Sequence, residues 1–364
     1  MTRKLVVIAG ATGVVGHAAL QAFARDDGAD VVALSRRAPA LPADGRCRHV
    51  ALDLADAGAC RRAAGALAGA THLVYAALHE KPGLVQGWRE RDQMQTNLAM
   101  LANLLGPLAA AGTLEHASLL QGTKAYGVHL HPVEVPARED RPRDAHENFY
   151  WLQEDHLREQ AERHGFAFTI FRPQLVFGDV TGVAMNLMPV IGAYAAVCRE
   201  LGLPFAYPGG PSNILEATDA RLLASALRWA AGAPAARGQT FNVTNGDVFV
   251  WRNVWPAIAD ALGVAPGPDE RRPLAQFLPA HADAWARVAE RHRLRVASMA
   301  ELLGQSHHYA DFCFGHRARE APPPVIVSTI KLREAGFGEC IDTERMFREG
   351  FERLRQNRIL PPPG

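Results

Sequence analysis

Short apolar runs alternate with longer amphipathic stretches through the first half of the chain. The apolar runs predict strands at residues 4–10, 30–35, 48–54, 71–77, 114–122 and 166–178. The stretches between them predict helices at residues 14–25, 56–68, 89–111 and 149–164. Strands that alternate with helices are typical of right-handed βαβ units in a parallel sheet. Because the strands are apolar at almost every position, we expect the sheet to be covered on both faces.

The second half of the chain mixes helices with a few short strands. Its pattern predicts helices at 190–201, 219–231 and 254–262, a strand at 239–243, and a mostly helical final part. Together the two halves predict an α/β fold built on a Rossmann-type doubly wound parallel sheet. We expect residues 1–180 to form the Rossmann core. Residues 181–364 are expected to add the last sheet strands and to cover the substrate pocket, without a flexible linker.

Composition excludes several classes of protein. With 39 basic and 38 acidic side chains the net charge is +1, which gives no electrostatic reason to expect nucleic acid or an anionic membrane as a partner. Apolar residues make up 48% of the chain, so a largely disordered protein is excluded. The five cysteines are scattered and form no CxxC pair, and no run of 18 apolar residues occurs. We therefore predict a cytoplasmic protein without a membrane span.

A glycine-rich turn is the strongest local motif. Residues 10–16 read GATGVVG and stand between the first predicted strand and the first predicted helix. Such a turn lets the backbone approach a pyrophosphate at a helix N-terminus, although a structural turn without a ligand is the alternative. The GxxGxxG spacing is typical of short-chain dehydrogenase/reductase proteins. The predicted contacts from this motif are Gly10, Thr12, Gly13, Val14, Val15 and Gly16.

The end of the second strand indicates which dinucleotide would bind. An NAD site would place an acidic residue there, whereas this chain has Ser35, Arg36 and Arg37. Guanidinium groups bind a 2′-phosphate with charge-assisted hydrogen bonds, and the Ser35 hydroxyl could add another, so NADP(H) is favoured. Two solvated arginines in an arginine-rich chain are the alternative. The remaining predicted cofactor contacts lie in the carboxyl-terminal halves of later predicted strands: Asp53, Leu54, Ala76, Gln121, Pro173 and Val176.

The usual catalytic pair of short-chain reductases is absent. None of the six tyrosines is followed four residues later by a lysine, so no YxxxK motif exists. Lys124 follows the fifth predicted strand, and Tyr150 begins the next predicted helix. Both would lie at the carboxyl edge of the sheet, where open α/β sheets bind ligands. From position alone, a solvated loop lysine and a packing aromatic residue are equally good interpretations.

The sequence resembles the progesterone 5β-reductase/iridoid synthase family of atypical short-chain reductases. The matching stretches run in order along nearly the whole chain: GATGVVG, SRR, LLQGTKAYGVHL, NFYWLQED, FRPQLVFG with a later MN, YAAVCRELGLPFAYPG, FNVTNGDVFVWRNVWP and STIKLREAGFGECIDTERMF. The resemblance implies that Lys124 of the GTK motif and Tyr150 of the NFY motif are catalytic. The chain departs from the family at Trp151, where a second tyrosine is frequent, and in residues 179–184, which lack the serine found near the phosphates.

The family resemblance also implies an activity. It implies NADPH-dependent reduction of an activated carbon–carbon double bond in a small apolar enone or enal. Hydride would reach the β-carbon, while Tyr150 and Lys124 hold the enolate oxygen. We expect the nearby ammonium to lower the pKa of the Tyr150 phenol. The alternatives are a carbonyl reductase or alcohol dehydrogenase that uses the same pair, and an NADP(H)-binding sensor without turnover. A sugar-nucleotide epimerase is disfavoured because YxxxK is missing.

The histidine pairs, one helix stripe and the aromatic residues give no specific evidence of catalysis. The pairs His129–His131 and His307–His308 have no cysteine or carboxylate at ligand spacing, so no metal site is predicted. The stripe Asn97, Leu101, Leu104 and Leu105 is interpreted as packing or as a face of a homodimer. The aromatic candidates for the wall of an apolar substrate pocket, none favoured individually, are Trp88, Phe149, Trp151, Phe205, Trp285, Tyr309 and Phe312.

Overall fold

Seven parallel strands form the central sheet in a computed structural model, which describes residues 3–43 and 45–364. The spatial order is β3-β2-β1-β4-β5-β6-β9, and every neighbouring pair is parallel. The strands are β1 (Lys4–Ala9), β2 (Ala29–Ser35), β3 (Cys47–Ala51), β4 (His72–Tyr75), β5 (His116–Leu120), β6 (Ala167–Pro173) and β9 (Gln239–Val243). Two short strands, β7 (Val176–Phe177) and β8 (Thr218–Asp219), pair separately. The predicted doubly wound sheet is confirmed.

Helices flank this sheet and dominate the end of the chain. Those of the first part are α1 (Val14–Ala24), α2 (Ala57–Ala63), α3 (Arg91–Ala110) and α4 (Phe149–His164). Those that follow are α5 (Leu187–Glu200), α6 (Ala220–Ala230), α7 (Trp251–Leu262), α8 (Leu274–Ala280), α9 (Ala282–His292), α10 (Met299–Leu303), α11 (Ser306–Cys313), α12 (Ile330–Glu334) and α13 (Thr343–Gln356). Short 3₁₀ turns include Gly87–Arg89 and Thr123–Tyr126. The mostly helical C-terminal part is confirmed.

The strands are apolar throughout because both faces of the sheet are buried. In β1, Val7 and Ala9 belong to one core cluster, whereas Val6 and Ile8 belong to the cluster on the opposite face. Successive side chains of a strand point to opposite faces of the sheet. When both faces are covered, every position of the strand is buried, so apolar residues do not alternate with polar ones. This packing explains why apolar runs located the strands well.

Caps and breaks explain where predicted and observed bounds differ. Helix α4 begins and ends where predicted, because the Asn148 side chain accepts a hydrogen bond from the Tyr150 backbone N–H (3.0 Å) and Gly165 ends the helix in the left-handed conformation. The predicted sixth strand was too long: β6 stops at Pro173, and β7 follows as a separate strand. Helix α5 begins three residues earlier than predicted because the Asn186 side chain caps it by accepting from the Met188 backbone N–H, and Pro189 is tolerated in the first turn.

A second hydrophobic core lies in the C-terminal part. It is rich in aromatic side chains, and Trp251, Trp255 and Trp285 are buried in it. The division of the chain at residue 180 stays a prediction. Helix α6, from the second part, packs with helix α1 of the first part in one hydrophobic cluster against the sheet. Within the described residues, no helix has both the length and the apolar character needed to cross a membrane.

Two histidines are buried at the amino ends of the central strands. His72 contacts the Thr71 hydroxyl and the Ala231 carbonyl, at 2.8 and 3.0 Å, and His116 contacts the Thr169 hydroxyl at 2.9 Å. Burial lowers the pKa of both, and that of His116 falls to about 3, with the His72 charge as a smaller cause. Both imidazoles are therefore neutral in the folded protein near neutral pH.

We expect the His116→Gln variant to weaken the acid sensitivity of folding. Between pH 6.5 and about 3 the unfolded chain binds a proton at His116 that the folded chain does not, so stability rises with pH. One such proton corresponds to a slope of about 1.4 kcal/mol per pH unit. Urea unfolding from pH 7 to pH 4 should show a slope lower by about that amount in the variant. His164→Gln, which removes an exposed imidazole, is the control, and equal slopes in His116→Gln and wild type would contradict the expectation.

Candidate active site and cofactor cleft

A cleft of about 1820 Å³ runs along the carboxyl ends of the strands. Its wall includes one residue at or just beyond the end of each of five strands: Gly10 after β1, Ser35 in β2, Ala76 after β4, Gln121 after β5 and Pro173 in β6. In open α/β sheets this edge is where ligands bind, because the following loops diverge there and leave a crevice. We refer to this cavity as the cofactor cleft.

The glycine-rich turn shapes one end of the cofactor cleft. Gly10 has φ +83°, and a Cβ there would lie 2.8 Å from the Ala76 carbonyl oxygen, so only glycine fits. The Gly13 backbone N–H donates to the Gly10 carbonyl (2.8 Å), and Gly13 caps helix α1. This cradle of bare backbone at a helix N-terminus suits a pyrophosphate. The motif residues in contact with the cleft are Gly10, Thr12, Gly13, Val14 and Val15.

Gly16 was also predicted as a cofactor contact, and that contact stays a prediction. Gly16 does not line the cleft, and a Cβ there would lie 2.1 Å from the Gly10 carbonyl oxygen. Helix α1 therefore packs directly on the turn through Gly16. Gly16 therefore helps to shape the turn, because its lack of a side chain lets the helix backbone pack closely against the backbone of Gly10.

Ser35, Arg36 and Arg37 line the cleft at the end of β2. Both arginines are exposed, while Ser35 is buried. The Ser35 hydroxyl donates to the Arg37 carbonyl (2.6 Å), so it braces the turn that presents the arginines. The sequence had predicted a phosphate contact for that hydroxyl, but its hydrogen is engaged within the turn.

The other predicted cofactor contacts also border the cleft. These are Asp53, Leu54, Ala76, Gln121, Pro173 and Val176. The side chain of Gln121, however, is committed inside the protein. Its amide donates to Glu154 (2.9 Å) and to the Tyr150 carbonyl (3.2 Å), and its oxygen accepts from Arg172 (2.9 Å). Gln121 thus ties the ends of β5 and β6 to helix α4.

Lys124 and Tyr150 meet in the cleft although 26 positions separate them in the sequence. The Lys124 Nζ lies 5.9 Å from the centroid of the Tyr150 ring and 4.1 Å from that of Trp88. Gly122, the glycine of the GTK motif, leaves room for the Tyr150 side chain, because a Cβ there would lie 3.2 Å from the Tyr150 hydroxyl. The structure therefore brings together the two residues that the resemblance singled out.

Burial sets the protonation of this pair. It lowers the pKa of Lys124 to about 8, and the nearby Glu80 carboxylate opposes that change. Burial raises the pKa of the Tyr150 phenol, and Glu80 raises it further. The expectation of a lowered phenol pKa was therefore wrong, because burial and the Glu80 anion outweigh the lowering effect of the Arg172 cation. Near neutral pH, Tyr150 is a neutral O–H donor and Lys124 is a cation.

Sequence reasoning missed Glu80, which precedes helix α3. Its side chain is 3% exposed and its Oε1 lies 3.9 Å from the Lys124 Nζ. Burial raises the pKa of the Glu80 carboxyl, and Lys124 opposes the rise. The segment 78–90 has no regular hydrophobic period, so only its place in the fold reveals the contact.

The aromatic candidates separate into two groups. Trp88, Phe149, Tyr309 and Phe312 line the cleft beside Tyr150, whereas Phe205 and Trp285 lie in the C-terminal core. Trp151 is buried beside Phe149 and does not line the cleft. Four large apolar side chains on the cleft wall remain exposed by more than a third: Leu78, Val85, Leu130 and Phe312. The cleft wall therefore presents apolar surface in addition to its polar groups.

The polar and apolar stripe predicted on the long helix has a structural outcome. The stripe Asn97, Leu101, Leu104 and Leu105 is buried within the chain, so it is packing and not a dimer face. In residues 3–43 and 45–364, no group of three or more histidine, cysteine, aspartate or glutamate side chains is placed to hold a metal ion.

Comparison with family descriptions matches residues 6–244 to the NAD dependent epimerase/dehydratase family. The chain belongs to this family. The chain is 27% identical over 379 residues to (S)-8-oxocitronellyl enol synthase of Antirrhinum majus, with 99% of this chain and 93% of that protein covered. It is 27% identical over 376 residues to 3-oxo-Delta(4,5)-steroid 5-beta-reductase of Arabidopsis thaliana, covering 98% and 93%. Over 279 residues it is 31% identical to (S)-8-oxocitronellyl enol synthase ISY2 of Nepeta racemosa, covering 72% and 69%.

These relatives confirm the resemblance to the progesterone 5β-reductase/iridoid synthase group. Among solved structures, Bordetella bronchiseptica WbmH in complex with NAD+ matches with a TM-score of 0.67 at 14% identity, covering 99% of this chain and 100% of that one. Thermus thermophilus UDP-glucose 4-epimerase matches with 0.65 at 18% identity, covering 96% and 99%. This likeness shows the shared fold. The chain is an oxidoreductase that takes a nicotinamide dinucleotide, as the cofactor cleft also indicates.

We expect Gly16→Ala to lower both stability and dinucleotide affinity. The added Cβ meets the Gly10 carbonyl, so either helix α1 or the turn must move. Gly106→Ala is a matched control, because Gly106 also lies in a helix but has no atom within 4 Å of its Cβ position. In Gly106→Ala the free energy of unfolding should be unchanged or higher by about 0.5–1 kcal/mol. Thermal unfolding and NADPH fluorescence titration measure both effects, and wild-type behaviour of Gly16→Ala would contradict the assigned packing.

Proposed function

We propose that this protein is an NADPH-dependent reductase of activated carbon–carbon double bonds in small apolar enones or enals. The observation that carries the proposal is the placement of Tyr150 and Lys124 together in the cofactor cleft, whose wall also includes exposed apolar side chains. Relatives named as an enol synthase and a steroid 5-beta-reductase support the same chemistry. A cytoplasmic location and a homodimer stay predictions.

NADP(H), when bound along the cleft, supplies the hydride. The bare backbone from Gly10 to Gly13 would hold its pyrophosphate, and Arg36 and Arg37 would hold the 2′-phosphate. Arginine forks bind a phosphate dianion with paired charge-assisted hydrogen bonds, which a ribose hydroxyl cannot match. These side chains support a preference for NADPH over NADH.

Tyr150 and Lys124 would act on the substrate carbonyl oxygen. When the β-carbon of an enone gains hydride, negative charge moves to that oxygen as an enolate. The Tyr150 O–H donates a hydrogen bond to the developing anion, and the Lys124 ammonium stabilises it electrostatically. In a buried site both interactions are stronger than in water, because little solvent competes with them. The α-carbon then takes a proton from solvent.

The protonation of Tyr150 separates this reaction from alcohol oxidation. An alcohol dehydrogenase that uses this tyrosine as a base needs the phenolate, whereas burial and Glu80 raise the phenol pKa. A neutral phenol is the form needed to stabilise an enolate. The apolar side chains at the cleft wall, such as Leu78 and Phe312, favour a substrate with a large hydrocarbon surface.

We expect the protein to oxidise NADPH in the presence of a small cyclic enone and to release the saturated ketone. Tyr150→Phe and Lys124→Met should each lower kcat/KM by about 10²–10³, the usual effect of losing one oxyanion donor. Lys331→Met is the control, since Lys331 bonds the Thr240 carbonyl and does not line the cleft. Absorbance of NADPH and chromatography of the product provide the measurement.

The product decides between the candidate functions. An allylic alcohol would replace the proposal with carbonyl reduction. Absence of NADPH oxidation with a panel of enones and enals, despite tight NADPH binding, would contradict it in favour of a non-catalytic sensor. Full activity in both Tyr150→Phe and Lys124→Met would remove these residues from the mechanism.

We expect Arg36→Ser and Arg37→Ser to weaken NADPH binding and to leave NADH binding nearly unchanged. A hydrogen bond to a charged group contributes about 1.5–3 kcal/mol, which corresponds to about a tenfold or larger increase in Kd for each arginine. Fluorescence titration with both cofactors measures the difference. Arg25→Ser, at an exposed arginine that does not line the cleft, is the control. Equal losses for NADPH and NADH would contradict a 2′-phosphate contact.

A further inference from the structure

Glu80 and Lys124 form a buried pair of opposite charge in the wall of the cofactor cleft. Their side chains are 3% and 13% exposed, and the Glu80 Oε1 lies 3.9 Å from the Lys124 Nζ. Among the described residues, neither of these two atoms has a hydrogen-bond partner. The two groups therefore interact as an ion pair without a direct hydrogen bond.

Two side chains of helix α3 fix the backbone on both sides of Glu80. The Asn97 amide accepts from the His79 backbone N–H (2.9 Å) and donates to the His79 carbonyl (3.0 Å). The Gln93 side-chain oxygen accepts from the Lys81 backbone N–H (3.0 Å). Gln93 and Asn97 are one turn apart and buried, so they hold this irregular segment against the helix.

The carboxylate of Glu80 is fixed as well. The Gln93 amide nitrogen donates to its Oε2 at 2.7 Å, which leaves Oε1 directed towards Lys124. One buried glutamine therefore holds both the peptide and the side chain at this position. Any buried carboxylate needs hydrogen-bond partners, and here the partner of Oε2 also fixes the direction of Oε1.

The groups around Lys124 leave Glu80 as the anion that faces it within the described residues. From the other elements, the Lys124 Nζ faces the Trp88 and Tyr150 rings, and burial lowers the pKa of the neighbouring His129 to about 4, so this imidazole is neutral. Tyr309 of helix α11 is also neutral, because burial raises the pKa of its phenol. Arg172 also interacts electrostatically with Tyr150, but a cation does not favour the charged form of Lys124.

We propose that Glu80 is a positioning residue for Lys124, whose carboxylate keeps the lysine as an ammonium ion and holds Nζ beside Tyr150. The same negative charge disfavours ionisation of Tyr150. One carboxylate thereby keeps both side chains in the protonated form that stabilises an enolate. The catalytic meaning of this role rests on the proposed function, but the charge state of Lys124 can be measured without turnover.

The experiment is a titration of the lysines by NMR in the full chain. The sequence has only four lysines, so protein labelled with ¹³C at lysine Cε gives four resonances, and Lys124→Met assigns one of them. In wild type Lys124 should titrate with a pKa of about 8. In Glu80→Gln we expect this pKa to fall by about one unit or more, since an opposite charge at this distance typically shifts a pKa by about 1–3 units. With NADP+ bound, we also expect the Lys124 pKa to be lower in Glu80→Gln than in wild type.

Matched variants separate the role in charge from a role in folding. Glu90→Gln changes a neighbouring carboxylate that pairs with Lys81 at the surface, and it should leave the Lys124 titration unchanged. Glu80→Asp keeps the anion and should restore most of the wild-type pKa. If Glu80→Gln does not fold, Gln93→Met weakens the hold on the carboxylate and should shift Lys124 in the same direction. An unchanged Lys124 pKa in the folded variant would overturn the proposal.

Activity gives a separate readout. Because Lys124 acts as a cation, kcat/KM should decline as pH rises through its pKa, and Glu80→Gln should move this decline to lower pH. A shifted NMR titration without any enone reductase activity would support the role of Glu80 and contradict the proposed function. An unshifted titration together with enone reductase activity would contradict the role of Glu80 and support the proposed function.

Discussion

The buried ammonium of Lys124 is the constraint on which the cofactor cleft depends. A lysine removed from water tends to lose its proton, so the surrounding structure must supply favourable electrostatics. The face of Trp88 and the carboxylate of Glu80 provide them at 4.1 and 3.9 Å. Tyr150 shares this environment, and it keeps its own proton because it is both buried and close to an anion. The site therefore offers two donors rather than a base.

Helix α4 explains why the cation comes from another element. Four residues after Tyr150, where the YxxxK pattern has lysine, this chain has Glu154. Glu154 is buried and accepts hydrogen bonds from Gln121 and Arg158, with Arg172 at 3.6 Å. It anchors the helix to the ends of β5 and β6. The position that usually holds a catalytic cation is thus used for attachment, and the 3₁₀ turn after β5 supplies Lys124 instead.

The rigid sheet sets the geometry that these side chains need. Both faces of the sheet are packed, and Gly16 allows helix α1 to lie directly on the Gly10 turn. The C-terminal part then closes the cleft from the other side with Tyr309 and Phe312 of helix α11. The glycine turn, the Lys124–Tyr150 pair and the Tyr309 and Phe312 wall consequently come from three separate parts of the chain.

The sequence by itself determined the succession of strands and helices along the chain, the glycine turn, the arginines after β2 and the motifs that hold Lys124 and Tyr150. These features are local, since they depend on hydrophobic period, caps and short motifs. Only the tertiary structure decided the role of Gly16, the internal use of Gln121, the direction of the Tyr150 pKa and the presence of Glu80 at the site. Each of these depends on burial or on contacts between distant segments, such as Glu80 held by Gln93 beside Lys124. Local patterns do not encode such distances, because the packing of the whole chain sets them.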